Sequence, residues 1–156
     1  MHKVLVVDDD YDLLEMVEMA LSKQGFVVET ITNGESFFRE VDSFKPHLIL
    51  LDIFLGDADG RRLCYELKLA PAYQHIPVIL YSAGVIPGSS IVSSMANAFM
   101  NKPFEIKQLS EKIKSLLAKI TSPNLLPGMM VTLKMLKESI SKKLLPLFVK
   151  SVDATH

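Results

Sequence analysis

Cysteine is all but missing from this chain. Cys64 is the single one in 156 residues, so neither a disulfide framework nor a thiolate metal cluster can be built. No apolar run approaches the length of a membrane-spanning helix. The opening "MHKVLVVDDD" has an apolar run of four residues followed by acids, too short for a signal peptide. A cytoplasmic location is expected. Strong charge of one sign is lacking as well, since the net value is −1. Residues 1–120 carry 12 basic and 16 acidic side chains, net −4, and residues 121–156 carry five lysines against Glu138 and Asp153, net +3. Direct nucleic-acid binding is therefore not expected, nor is membrane attachment of the main body.

What is present suits a packed domain. Hydrophobic residues make up 49% and charged residues 22%, which is enough apolar surface to fold most of the length. Up to about residue 120 the pattern alternates strand and helix. "KVLVV" (3–7), "FVVETI" (26–31), "HLILLD" (47–52), "PVILYS" (77–82) and "NAFMN" (97–101) are short and rich in β-formers. The third and fourth are continuous apolar runs, as in strands covered on both faces. Leu13, Leu14, Val17, Ala20 and Leu21 fall at helical spacing, ended by Gly25. Phe37, Phe38 and Val41 mark a second helix after Asn33-Gly34. Leu63, Cys64 and Leu67 mark a third from near Gly60, and Leu109, Ile113, Leu116, Leu117 and Ile120 a fifth. Between them "VIPGSSIVSSM" predicts one or two turns after Pro87-Gly88.

Five βα units imply an α/β, doubly wound domain with a five-stranded parallel sheet, right-handed crossovers and helices on both faces. In such a fold the site lies at the carboxyl ends of the strands. Those ends read Asp8-Asp9-Asp10, Thr32-Asn33, Asp52, Ser82 and Lys102. A phosphate cradle after the first strand would need glycines. The three carboxylates there would instead repel a bare phosphate and attract a hard cation such as Mg²⁺. Capping the first helix explains Asp10 but leaves Asp8 and Asp9 without a structural task.

Asp52 alone could be a strand that simply turns polar. Beside Asp8 and Asp9 it belongs to a mutually repelling set, in which at least one pKa should rise without a cation. With Mg²⁺ bound, its carboxylate is available as a nucleophile towards a phosphoryl group. Ser82 offers a hydroxyl, and Lys102 an ammonium that can pair with phosphoryl oxygens. The Lys102-Pro103 bond is a candidate for cis.

These segments together resemble the receiver domain of two-component response regulators. "KVLVVDDDYDLLEMVEMAL", "LILLDIFLGDADG", "HIPVILYSAG" and "FMNKPFEIKQL" stand in family order over residues 2 to about 120. The resemblance implies a flavodoxin-like sheet in the order 2-1-3-4-5. It implies that Asp52 is the phosphoacceptor, and that Asp9 ligates Mg²⁺ (or Mn²⁺) directly, Asp8 mostly through water, with the Phe54 carbonyl completing the set. Ser82 takes the switch hydroxyl position, Phe99 the switch aromatic, and Lys102-Pro103 the phosphate-binding lysine with its proline. The implied partner is a histidine kinase or histidine phosphotransfer protein. The implied output is a shift of helix four and strand five that changes a protein-binding surface, with a homodimer through the helix 4/helix 5 face or the tail as one form. In this account the chain is a signalling phosphoacceptor, not an enzyme in the usual sense.

Four departures stand out. Gly56 replaces a usual proline, with Asp57 added. Phe54 and Gly84 stand two residues beyond Asp52 and Ser82, where neither side chain can position a water, so slow hydrolysis is expected. The run before strand five reads Met95-Ala96-Asn97-Ala98, and the fourth helix lacks charge.

Two alternatives compete. A haloacid-dehalogenase-like phosphatase would use Asp8 as nucleophile and Asp10 as acid/base, leaving Asp52 and Lys102 unexplained. A receiver fold could also bind partners without phosphorylation. The division expected is a receiver over 1–120 and a linker and amphipathic helical tail over 121–156. In the tail Met129, Leu133, Leu136, Ile140 and Leu144 share one face. That tail is too short for the usual DNA-binding output domains. Packing on its own domain or a second copy is favoured over a partner's groove or a membrane surface.

Overall fold

The computed structural model describes residues 1–121. The linker and helix expected beyond them lie outside the described residues. Five strands, β1 (Lys3–Val7), β2 (Val27–Ile31), β3 (Leu48–Asp52), β4 (Val78–Ser82) and β5 (Ala98–Asn101), alternate with five helices. These are α1 (Tyr11–Ser22), α2 (Phe37–Phe44), α3 (Gly60–Leu69), α4 (Gly88–Ser93) and α5 (Ile106–Thr121). All strand pairs are parallel, in the order β2-β1-β3-β4-β5. This is the flavodoxin-like arrangement expected, and the fourth helix is the short one, with six uncharged residues.

The burial pattern explains why the apolar runs are continuous. β3 and β4 are buried at every position, whereas the edge strands β2 and β5 are not. Side chains alternate between two cores. Val4, Val6, Leu48, Leu50, Ile79, Tyr81 and Met100 join Leu14, Val17 and Leu21 of α1 and Leu109, Ile113 and Leu117 of α5. Leu5, Val7, Ile49, Leu51, Val78 and Leu80 join residues of α2 and α3 on the other face. Each fully buried Val, Leu or Ile is worth about 1.5–3 kcal/mol. Ile120, at the end of α5, is exposed instead.

The ends of α1 are locally encoded. Asp10 accepts from the Asp12 and Leu13 amides. At the other end the Phe26 amide reaches back to the Leu21 carbonyl and Gly25 takes a φ of +88°, the conformation that favours glycine. The chain then enters β2 beside β1.

Candidate functional site

Asp8 and Asp52 meet because β1 and β3 are neighbours in a register that sets Val7 opposite Leu51. The two carboxylates therefore fall level with each other, and both continue the α1/α5 face by alternation. Asp8 is fully buried and Asp52 is 5% exposed, while Asp9 is exposed. Lys102 reaches them from the end of β5. Its amide donates to the Ser82 carbonyl at 2.8 Å. Its Nζ donates to Asp8 Oδ2 at 2.6 Å and to Asp52 Oδ2 at 3.1 Å. The second Asp8 oxygen, Oδ1, accepts from the Asp10 amide at 2.9 Å. The Lys102-Pro103 bond is cis.

Burial pushes the Asp52 carboxyl above its ordinary range. Lys102 opposes that rise through its hydrogen bond and charge, and Asp8 adds to it only weakly. A raised carboxylate was expected from mutual repulsion. The direction holds, but desolvation is the largest cause and the Asp8 charge a lesser one.

One carboxylate oxygen from each of Asp8, Asp9 and Asp52 can be chosen so that all lie within 4.8 Å of one another. Clustered hard oxygens of this kind fit a divalent cation. The loop after Asp52 turns back on itself through bonds between Leu55 and Ala58 and from the Gly60 amide to the Ile53 carbonyl. None of these uses the Phe54 carbonyl. Gly60 is required at this turn, since a Cβ there would sit 2.0 Å from the Asp52 carbonyl oxygen.

Two further residues fix that loop, and sequence reasoning missed both roles. Asp57, left without a task in the sequence, accepts from the Gly34 amide at 2.9 Å and the Glu35 amide at 2.9 Å. It fastens the β3–α3 loop to the start of α2, and those amides hold its carboxyl below the usual range. A Cβ on Gly34 would come within 2.4 Å of the Ala58 Cβ, so this contact is close. Asp59 accepts from the Arg61 amide and is paired with the Arg61 guanidinium. Only the placement of both loops brings Asp57 to Gly34 and Glu35, whereas Asp59 is the local cap of α3, two residues from Arg61.

The remaining expected residues lie nearby but apart from the carboxylates. Ser82, fully buried at the end of β4, accepts from the Gly84 amide at 3.2 Å. Phe99 lies in β5, half-buried against the α2/α3-side core, the opposite face from Asp8 and Asp52. Asp10 serves as the cap of α1 and Asp8 is fully buried, an arrangement that does not favour a phosphatase nucleophile and its acid. Cys64 is buried in the core, its thiol pushed up to about 11 by burial, and it is inert as a nucleophile. Tyr81, next to Ser82, was not singled out in the sequence. Its ring lies beneath Lys102, with Nζ 4.5 Å from the centroid.

Comparison with known proteins gives one consistent result. The family model of the response regulator receiver domain matches residues 4–114. The chain is 30% identical over 116 residues to the transcriptional regulatory protein GltR of Pseudomonas aeruginosa, covering 73% of this chain and 48% of that one. A two-component response regulator from Clostridium difficile superimposes with a TM-score of 0.72 at 25% identity, covering 78% of this chain and all of the other (100%). The beryllofluoride-activated N-terminal receiver domain of Klebsiella pneumoniae RstA gives 0.67 at 25%, covering 74% and 97%. The chain spans about half the length of the curated relatives it matches.

Proposed function

The chain belongs to the response regulator receiver domain family, and from that premise we propose that Asp52 accepts a phosphoryl group from a phosphohistidine on a partner kinase or phosphotransfer protein. The observation that carries this is the position of Lys102, whose ammonium bridges Asp8 and Asp52 at one strand edge. An Asp52 oxygen attacks phosphorus in line as the phosphorus–nitrogen bond breaks, and a mixed anhydride forms. Lys102 keeps contact with the growing negative charge. Asp8, Asp9, Asp52 and the Phe54 carbonyl would hold Mg²⁺ or Mn²⁺. When bound, that ion neutralises charge on the transferring group.

Ser82 and Phe99 would carry the switch. The Ser82 hydroxyl leaves the Gly84 amide for a phosphoryl oxygen, and Phe99 turns into the space released, shifting α4 and β5. The surface so altered would bind a downstream protein or a second copy in the cytoplasm. GltR is a transcriptional regulator with a longer chain. Whether nucleic acid is engaged therefore depends on what this domain is joined to or recruits, not on its own charge.

Incubation with acetyl phosphate and Mg²⁺, followed by intact mass, tests the proposal. One added phosphoryl group, lost in Asp52→Asn, is expected. Label on Asp8, or uptake unaffected by Asp52→Asn, would overturn it in favour of a phosphatase-like site. No uptake from any donor would favour a binding module that works unphosphorylated.

A further inference from the structure

The short helix α4 is weakly held by its own packing. None of its six residues is buried, and none joins either core. It carries no charged side chain, and Val92 on it is largely exposed. Its tie to a neighbour is polar. From the first turn of α3, Arg61 Nη1 donates to the Ser90 Oγ at 2.8 Å.

The two ends of this bond are anchored unequally. Arg61 Nε donates to Asp59 Oδ1 at 3.0 Å and Nη2 to Oδ2 at 2.5 Å, a forked pairing that fixes the plane of the guanidinium. Asp59 itself caps α3, and its backbone bridges Phe54. The helix it caps is seated in the core by Leu63, Cys64 and Leu67 and fits tightly on the Asp52 carbonyl at Gly60. Arg61 therefore cannot follow a moving α4 without giving up its carboxylate. Ser90 rides on a surface helix that buries nothing. A shift of α4 relative to α3 stretches their bond, and a hydrogen bond weakens steeply outside its normal length and angle.

We propose that the Arg61–Ser90 bond is a latch of the unphosphorylated state: it holds α4 against α3, and the shift of α4 that follows phosphorylation breaks it. The latch favours the resting state, so its loss makes the active state easier to reach and raises the affinity of whatever selects that state. Neither Arg61 nor Ser90 is among the groups bonded to Asp8 or Asp52, so both act on the site through α4. This rests on Asp52 being the phosphoacceptor and α4 the element that answers it.

Calorimetric affinity for beryllofluoride in the presence of Mg²⁺ is measured beside hydrogen exchange of residues 88–95. Ser90→Ala is expected to bind beryllofluoride about threefold more tightly, the scale of a partly exposed bond to a charged group. Its α4 amides should exchange fast already without ligand, whereas in wild type they should quicken when beryllofluoride binds. Ser90→Thr, which keeps a hydroxyl, should stay near wild type in both. In an Arg61→Met background Ser90→Ala should bring no further gain. A merely structural bond would lower the melting temperature of Ser90→Ala and leave its affinity unchanged. Unchanged or weaker binding overturns the proposal, and so does a full gain in the Arg61→Met background. If wild-type protein itself fails to bind beryllofluoride, the role of Asp52 fails and the latch with it. If wild type binds and Asp52→Asn does not, the Ser90 results judge the latch alone.

Discussion

Arg61 holds Ser90: its Nη1 donates to the Ser90 Oγ at 2.8 Å, from the first turn of α3 to α4. The rest of the guanidinium is bound to Asp59, whose backbone bridges Phe54 in the loop after Asp52. The loop beside the carboxylates and the short α4 are thereby joined by one rigid side chain. Ser90→Ala should release α4 at its first turn. Amides of residues 88–95 are expected to exchange hydrogen several-fold faster, with α3 little changed. Unchanged exchange in α4 would mean that the contact does not restrain it.

Gly60 cannot be replaced cheaply. Gly60→Ala drives a methyl group into the Asp52 carbonyl, a backbone atom with little freedom to retreat. A loss of about 3 kcal/mol is expected from urea unfolding, at the upper end of single-substitution effects. A loss under about 1 kcal/mol would show that the loop re-forms around the methyl group.

Asp52 should weaken the fold when charged. Its folded-state pKa is raised by burial. The unfolded chain therefore tolerates the ionised carboxylate better than the native one does. The penalty is complete above the folded pKa and is relieved as pH falls through it towards the ordinary value of 3.8. In the absence of divalent cations Asp52→Asn should be more stable at neutral pH by roughly 1 kcal/mol. That advantage should shrink on acidification. Equal melting temperatures at pH 7 would contradict the sign.

Asp57 should matter to cation binding although it is no ligand. Asp57→Ala removes the bonds to Gly34 and Glu35 that fasten the loop carrying Phe54. Calorimetry should give Mg²⁺ affinity lowered several-fold. Asp57→Asn retains an acceptor oxygen and should lose less. Equal affinities in all three proteins would leave the loop self-supporting.

Phosphoryl lifetime is also open to test. Phe54 is exposed, and space at Gly84 opens onto its ring, since a Cβ on Gly84 would lie 3.6 Å from Phe54 Cε2. Neither residue offers a group to orient an attacking water. Slow loss of label from Asp52 is expected in a chase by intact mass, and Phe54→Asn should quicken it. A wild-type half-life of seconds would count against this.

The sheet and the carboxyl ends of all five strands were legible because both depend on short-range signals. A buried parallel strand must be apolar throughout, so the carboxylate or hydroxyl that ends "LILLD" or "VILYS" marks the edge where ligands bind. Asp10 was legible as a cap for the same local reason. Asp57 was not, because its partners Gly34 and Glu35 lie over twenty residues away, at separations of 23 and 22, and meet it only once two loops are placed. Tyr81 escaped notice because a tyrosine in a strand is ordinary until its ring is found beneath Lys102. Burial also outweighed repulsion at Asp52, which the sequence could not show before the packing around the carboxylate was known.

The Lys102–Asp8 ion pair spans 94 residues of sequence. Contacts of such separation carry a large loop-closure entropy that local contacts do not. Until β5 docks, Asp8 and Asp52 face each other without their cation, an arrangement that disfavours the native sheet edge. If Asp52 accepts a phosphoryl group as proposed, a receiver without β5 would hold a repelling pair of acids in place of that ion pair, and phosphoryl uptake would report that β5 has docked.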